Sequence, residues 1–548
     1  MFFAAIPPPP PAIVQPAYEN RIRLNTIGFL PEGPKQATIA APCKEFTLVR
    51  VTDNTVVFSG EASESIRTAE SDTNEQVQII DFTKFVTPGQ YRIKVAGVGS
   101  SVPFTISKDI WNTPYEVVAR AMYLWRCGTA VENTWNGITY RHAACHMEDG
   151  WLDYVNGSHT QLHSTGGWHD AGDYNKYTVN AGVSIGMMLK AAEQFPDQVA
   201  TDKLEIPESG NHVPDLLDEV RWEIEWLFTM QTDDGRVYHK VSARDFKFWG
   251  PPEKDTAIRY ITSWSTTATA DFVAMMAETS RAWRPYDTAF ADRCLAAAKK
   301  GWAVLVAHPQ QVDSDQAAFI TGGYAPKDTS HRLWAASELW ETTGETEYLS
   351  ELEKGAEAFS CEFTKTGPNW VEVQDLAFAT YLLTCHPQVR NAKIVARLSD
   401  NLIKRVQAIV TMSQKNGYAR PLGGERETWS WGANGTIAGQ TLLLHLADRI
   451  RPNPDYRATA IHALDFLFGR NYHCRSYVTG LGANPPQHPH DRRGEPAWPG
   501  YLIGGGWPDG RSWEDVLANY RVNEIAINWN ASLIYAIAAF SEKQISTQ

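Results

Sequence analysis

Long apolar runs are missing from this 548-residue chain. None approaches the roughly 18 residues that a membrane-spanning helix requires, so no membrane partner is expected. A basic surplus is missing too. Fifty lysines and arginines stand against 63 aspartates and glutamates, a formal charge of −13, and no basic stripe occurs anywhere. Nucleic acid and anionic lipid are therefore poor partners. Cysteine is scarce and odd in number: Cys43, Cys127, Cys145, Cys294, Cys361, Cys385 and Cys474 are scattered rather than patterned, which does not make a disulfide framework. Metal binding or plain burial suits them better. The N-terminus, MFFAAIPPPPPAIVQPAYEN, lacks the basic residues that open a signal peptide and has only a short apolar stretch before five prolines. Residues 1–20 read as a stiff polyproline lead. No repeat recurs at a period of about 30–45 residues, which weighs against an α-solenoid.

What the chain has in quantity is aromatic surface, with 20 Trp and 21 Tyr in a composition that is 43% hydrophobic. Flat rings fill cores, and they also serve as platforms for sugar faces. Two regimes divide the chain. Over residues 21–107, RIRLNTIGF, QATIAA, FTLVRV, TVVFSG, QVQIIDF, QYRIKV and VPFTIS alternate between turn residues, predicting seven strands of an all-β immunoglobulin-like sandwich. It holds no acid, base or ligand constellation, and its expected role is to buttress the rest of the chain. Over residues 111–545 the apolar period becomes 3.6, with twelve helical stretches running from 114–130 to 522–541. Segments such as AGVSIGMMLKAA and SLIYAIAAF are apolar on more than one face, as expected of helices covered by an outer ring. The expectation is an all-α (α/α)6 barrel. Its non-helical insertions at 131–179, 232–263, 415–432 and 470–521 far exceed ordinary helix connections and are rich in Gly, Trp, Tyr, His and Asp. Such loops usually build a site.

The first insertion contains GGWHDAGDYNKY, residues 166–177, in which Asp170 and Asp173 flank an Ala-Gly turn. Two carboxylates three apart on an irregular loop can converge on one water and act as a general base. The same spacing also suits an Asx turn or a calcium-binding loop. Nearby stand Cys127, Cys145, His146 and His169, residue types that a tetrahedral zinc site prefers, at intervals of 18, 1 and 23. Burial of Cys127 and His169 in a core is the competing account. A closed four-ligand set leaves no open position, so any zinc there is structural.

Three motifs together carry a family resemblance. GGWHDAGDYNKYTVNAG resembles the paired-aspartate loop of glycoside hydrolase family 9, DVLANYRVNEIAINWNASLIYAIAAF its C-terminal signature, and SYVTGLGANPPQHPHDRR its substrate-binding loop. The sandwich in front matches the subgroup with an N-terminal immunoglobulin-like domain. The resemblance implies inverting hydrolysis of β-1,4-glucosidic bonds in cellulose, cello-oligosaccharides or mixed-linkage β-glucan. It implies Glu524 as general acid, Asp173 as general base and Asp170 as its partner. Inversion then requires the Glu524 and Asp173 carboxyls to stand about 6.5–9.5 Å apart, leaving room for water. An acid at Glu524 needs a raised pKa, whereas a glutamate merely facing a helix N-terminus would have a lowered one. The resemblance further implies structural zinc on Cys127, Cys145, His146 and His169, and sugar contacts from His490 and Arg492, with Asp515 and Tyr520 in support. Where the family commonly has a second histidine, this chain has Asp491.

Calcium is also implied. IPESGNHVPDLLDE resembles a calcium loop of the family, with Glu208, Asn211, Asp215 and Asp218 as oxygen donors, although Pro214 and Asp215 equally suit the start of a helix. A second family calcium loop is expected to be lost, because Lys327, Ser330 and His331 stand where acids belong. The family points to a secreted or periplasmic protein, without a matching signal peptide here, and a monomer is expected. Two other functions compete. One is an exo-β-glucosaminidase on chitosan oligosaccharides, favoured by charge pairing of Asp491 with an amino sugar; the other is a non-catalytic carbohydrate-binding protein.

Overall fold

A computed structural model describes residues 20–423 and 428–541. The proline-rich lead lies outside the described residues, apart from Asn20.

Ten strands form two facing sheets: β1 (Ile22–Arg23), β2 (Gly28–Phe29), β3 (Gln36–Ile39), β4 (Glu45–Arg50), β5 (Val56–Glu61), β6 (Ile66–Arg67), β7 (Gln76–Asp81), β8 (Gly89–Val95), β9 (Gly99–Ser100) and β10 (Phe104–Ile106). One sheet runs β1-β3-β7-β6, and the other β2-β10-β8-β4-β5 with β9 beside β8. Alternation does the folding: Tyr91, Ile93 and Val95 of β8 point inward, as do Phe46 and Leu48 of β4, joining Phe29, Phe82 and Phe104 in a core of their own. RIRLNTIGF is not the single strand its pattern predicts. The Asn25 side chain accepts the N–H groups of Ile27 and Gly28, bending the chain so that β1 and β2 enter different sheets.

That bend also docks the sandwich. Asn25 donates to Asp465 at 3.0 Å, and the Thr26 hydroxyl donates to the Phe468 carbonyl at 2.6 Å. Arg470 donates to Thr38 at 3.0 Å. On a separate loop, Asp72 accepts from Asn416 at 2.8 Å and its carbonyl accepts from the Gly510 N–H at 2.9 Å.

Among the described residues, twelve helices of ten residues or more come after the sandwich. Thr178–Gln194, Thr266–Trp283, Thr329–Thr343, Gln374–Leu383, Ala433–Ile450 and Ile527–Ala538 form an inner ring, closed where the last packs against the first. The other six lie outside. Burial separates the two classes: 15 of the 17 residues of Thr178–Gln194 are buried, but only seven of the 24 in Ala392–Lys415. Two predicted helices are cut short. The first, Asn112–Tyr123, ends before Cys127 because the backbone beyond it pairs with the next insertion, Cys127 N–H to the Gly167 carbonyl and His169 N–H to the Trp125 carbonyl. The last is broken by an extended segment, Glu524–Ala526, between Tyr520–Asn523 and Ile527–Ala538. No described helix is long and apolar enough to cross a membrane.

Candidate active site and metal centre

The inner helices begin against the long insertions, as where the Thr178, Asn434 and Ile527 N–H groups donate to the carbonyls of His239, Gly504 and Asp170. The extended segment brings the distant motifs together there. Ala526 bridges Ala171, Ile525 bridges Ile503, and Glu524 pairs in parallel with His490. The Ile527 N–H donates to the Asp170 carbonyl at 2.9 Å. Gly172 is required by this approach, because a Cβ there would lie 2.3 Å from the His490 carbonyl oxygen. Upstream, the Trp168 N–H and indole donate to Glu223 and Glu219 at 2.6 and 2.7 Å, clamping the turn to helix Asp215–Met230. Gly167, with φ of +74°, lets the backbone pass Trp226, which any Cβ would strike at 2.8 Å.

Asp170, Asp173 and Glu524 are all buried, and no lysine or arginine pairs with any of them among the described residues. Asp170 accepts from Asn180 at 2.7 Å and from the Tyr324 hydroxyl at 2.8 Å. Asp173 accepts from Asn175 and, at 3.1 Å, from the Tyr177 hydroxyl, both on Oδ2. Its Oδ1 receives no bond from the described residues. Burial, and then the charge of Asp173, push the Asp170 carboxyl well above the usual carboxylate range. Burial likewise raises Glu524, with Asp173 and Asp170 adding to the shift and Arg492 and the Trp431 indole opposing it. The direction is opposite to that of a glutamate governed by a helix dipole.

Around the carboxylates, His490 donates from Nδ1 to the Leu517 carbonyl at 2.7 Å. With burial lowering its pKa, the ring stays neutral and Nε2 keeps its lone pair. Arg492 donates to the Phe248 carbonyl at 3.1 Å and lies over the Phe246 and Trp249 rings. Asp515 accepts from Arg475, Asn523 and the N–H groups of Gln487 and His488, holding the 485–488 segment against the turn that carries Glu524. The Tyr520 ring lies between His490 and Trp431, at 5.8 and 5.9 Å. Asp491 does not serve as a sugar contact. It is 2% exposed and forms a two-pronged pair with Arg493, at 3.0 and 2.9 Å from Nε. Its charge is neutralised inside the protein, which removes the basis for an amino-sugar preference.

Motif reading missed Asn175, Asn180, Tyr177, Tyr324, Trp249 and Trp431. The first three lie inside or just beyond the aspartate loop. Tyr324 comes after two glycines and sits at φ of +41°, a backbone conformation rare for a non-glycine residue and often found at functional sites. Trp249 and Trp431 are 46% and 40% exposed, unusual for tryptophan, and lie against His490 and Tyr520.

One residue before Asp170, His169 turns the other way. Cys127, Cys145, His146 and His169 place four ligand atoms within 4.8 Å of one another, so they could hold a metal ion. Cys127 Sγ lies 3.6 Å from His146 Nδ1, Cys145 Sγ 3.6 Å from His169 Nε2, and the two ring nitrogens are 3.4 Å apart. A tetrahedral ion with bonds of about 2.3 Å to sulfur and about 2.0–2.1 Å to nitrogen separates its ligands by about 3.4–3.6 Å. The fit is close. The far nitrogen of His146 meets Asp255 at 3.4 Å, as an outer carboxylate that orients a histidine ligand.

The implied calcium ligands have protein partners in this structure. Glu208 is spent on Arg126, with bonds of 2.9 and 3.0 Å, and Asp215 accepts from the Leu204 N–H and the Ser209 hydroxyl. Asn211 turns its amide to Asp218, whose carboxyl burial raises to about 6. No metal-capable cluster among the described residues includes them. The helix-start account fits better, although the capping oxygens come from Asp202, which accepts the N–H groups of Asp215 and Leu216. At the second loop, His331 pairs with Asp271 at 2.6 Å.

Comparison with known proteins agrees with this architecture. The model of glycosyl hydrolase family 9 matches residues 113–537, and that of the cellulase N-terminal ig-like domain matches residues 17–100. Endoglucanase D of Acetivibrio thermocellus is 48% identical over 532 residues, covering 95% of this chain and 84% of that protein. The xyloglucan-specific endo-beta-1,4-glucanase BoGH9A of Bacteroides ovatus is 32% identical, covering 96% and 95%. The crystal structure of a zinc-binding triple mutant of a family 9 endoglucanase superposes with a TM-score of 0.88 at 30% identity, covering 94% of this chain and all of that one. The chain belongs to glycosyl hydrolase family 9, with a cellulase-type immunoglobulin-like domain preceding its helical barrel.

Proposed function

We propose that the protein is an inverting hydrolase of β-1,4-glucosidic bonds in glucan, of endoglucanase type. The observation that carries the reading is a buried cluster of three carboxyls without a paired cation, two on one loop and one on another, in a chain of this family. Relatives named as endoglucanases support the substrate class.

In this reading Glu524, its pKa raised, carries the proton that the departing glycosidic oxygen receives. Asp173 takes a proton from water through the Oδ1 left free by Asn175 and Tyr177. Asp170, fixed by Asn180 and Tyr324, holds the turn that carries Asp173. After one turnover Glu524 is ionised and Asp173 protonated, and exchange with solvent resets both. His490 Nε2 and the Arg492 guanidinium bind ring hydroxyls, Trp249 and Trp431 offer ring faces, and Asp515 and Tyr520 hold the loop that presents Glu524. Cys127, Cys145, His146 and His169 would hold zinc, whose part would be structural rigidity. Because His169 directly precedes Asp170, these ligands would steady the backbone from which Asp170 and Asp173 project. Calcium is not part of the proposal.

Cello-oligosaccharides and chitosan oligosaccharides offered side by side test the substrate. Cleavage of the former is expected; cleavage of chitosan oligomers alone would return the reading to a glucosaminidase.

A further inference from the structure

We propose that Glu341, Cys385 and His386 form a second metal site, for zinc or another borderline-soft divalent ion, at the end of the barrel opposite the carboxylate cluster. A carboxylate oxygen, the thiol sulfur and a ring nitrogen of these residues lie within 4.8 Å of one another. They come from two neighbouring inner helices. Glu341 is in the last turn of Thr329–Thr343, and Cys385 and His386 are in the turn after Gln374–Leu383.

The turn is held in place by the same carboxylate. The Cys385 N–H donates to one oxygen of Glu341 at 3.0 Å, and the Thr384 hydroxyl donates to the other. His386 Nε2 lies 3.2 Å from the Glu341 carbonyl oxygen, which can only accept. Nε2 therefore carries the hydrogen, and Nδ1 keeps a free lone pair. Of the seven cysteines, Cys385 is the exposed one, and with Glu341 it lines a cavity of about 550 Å³ through which an ion and water can enter. The C-terminal end of helix Thr329–Thr343 adds partial negative charge at this place.

Thiolate, imidazole and carboxylate together are a donor set for zinc-like ions, and three protein ligands leave a fourth position for water. With three protein ligands, one of them exposed, this site is weaker than the four-ligand, mostly buried centre. Metal binding by the thiol displaces its proton. Bound metal ties the ends of two inner helices together.

The test uses the full chain as purified. Thiol alkylation by iodoacetamide is tracked by peptide mass spectrometry, with and without added zinc, and zinc uptake is measured by equilibrium dialysis. Cys385 is expected to alkylate readily without added zinc and about tenfold more slowly when the site is about nine-tenths filled. Cys385→Ser and His386→Ala are each expected to lose one weakly held zinc equivalent per chain. Both should retain whatever metal the protein carries as purified and hydrolyse glucan at the wild-type rate. Alkylation of Cys385 unaffected by zinc, or the weak equivalent retained in both variants, overturns the proposal.

Discussion

The two ends of the barrel bury acids under opposite rules. At the C-terminal ends of the inner helices, Lys190 meets Glu193, Glu278 and Glu338 at 2.9, 2.7 and 3.2 Å, and Arg281 meets Glu338 at 2.7 Å and also Glu193. Arg281 and Lys190 hold the Glu193 carboxyl at about 2 although burial pushes it up. At the N-terminal ends, Asp170, Asp173 and Glu524 are buried with hydrogen-bond donors but no ion-pairing cation, and burial drives Asp170 and Glu524 upward. A buried acid is thus not informative by itself. Its partner is: acids bound to Lys190 and Arg281 tie the ring together even where burial raises one of them, Glu278, whereas Asp170 and Glu524 are raised with no cation paired to them.

Breaking the unpaired end should remove chemistry and spare the fold. Glu524→Gln is expected to lower the hydrolytic rate by about 10²–10⁴-fold with an unchanged circular dichroism spectrum. Next in size is the metal centre beside it. His169→Ala should lose one zinc equivalent by elemental analysis and destabilise the protein by more than about 4 kcal/mol in denaturant titration, the range that loss of a structural metal reaches. Breaking the paired end should do the reverse of Glu524→Gln. Lys190→Met leaves Glu278 and Glu338 without their shared cation, and a loss of about 3–5 kcal/mol is expected at unchanged activity per folded molecule.

The smallest effect is the sharpest test of the contrast. Because the folded pKa of Asp170 lies above its unfolded value, the folded state holds the proton longer. Its contribution to stability is full at acid pH and is lost as pH rises through the folded pKa. Asp170→Asn should therefore be less active, yet melt on the order of 1–3 °C higher than wild type near neutral pH, with the gap closing below about pH 4. An Asp170→Asn protein that melts lower at neutral pH would place Asp170 among the paired, stabilising acids instead.

Much of this was legible in the residues. Period gave the twelve helices, and the widely apolar segments marked the inner ring, because burial on all sides leaves no polar face. The motif around Asp170 was legible because its spacing is local. What sequence could not deliver was decided by partners remote in the chain. Asn25 splits the first strand through two side-chain bonds and a contact with Asp465. Glu524 leaves the helix because Ile503, Ala171 and His490 pair with the backbone around it. Glu208 is paired with the distant Arg126. In each case a partner distant in sequence sets what the residue touches.

The account rests on Glu524 and Asp173 acting from opposite sides of the scissile bond. Proton NMR of the first products released from a β-1,4-linked cello-oligosaccharide tests this most directly. The α-anomer should appear first and mutarotate to the equilibrium mixture, whereas early accumulation of the β-anomer would contradict the assignment of acid and base.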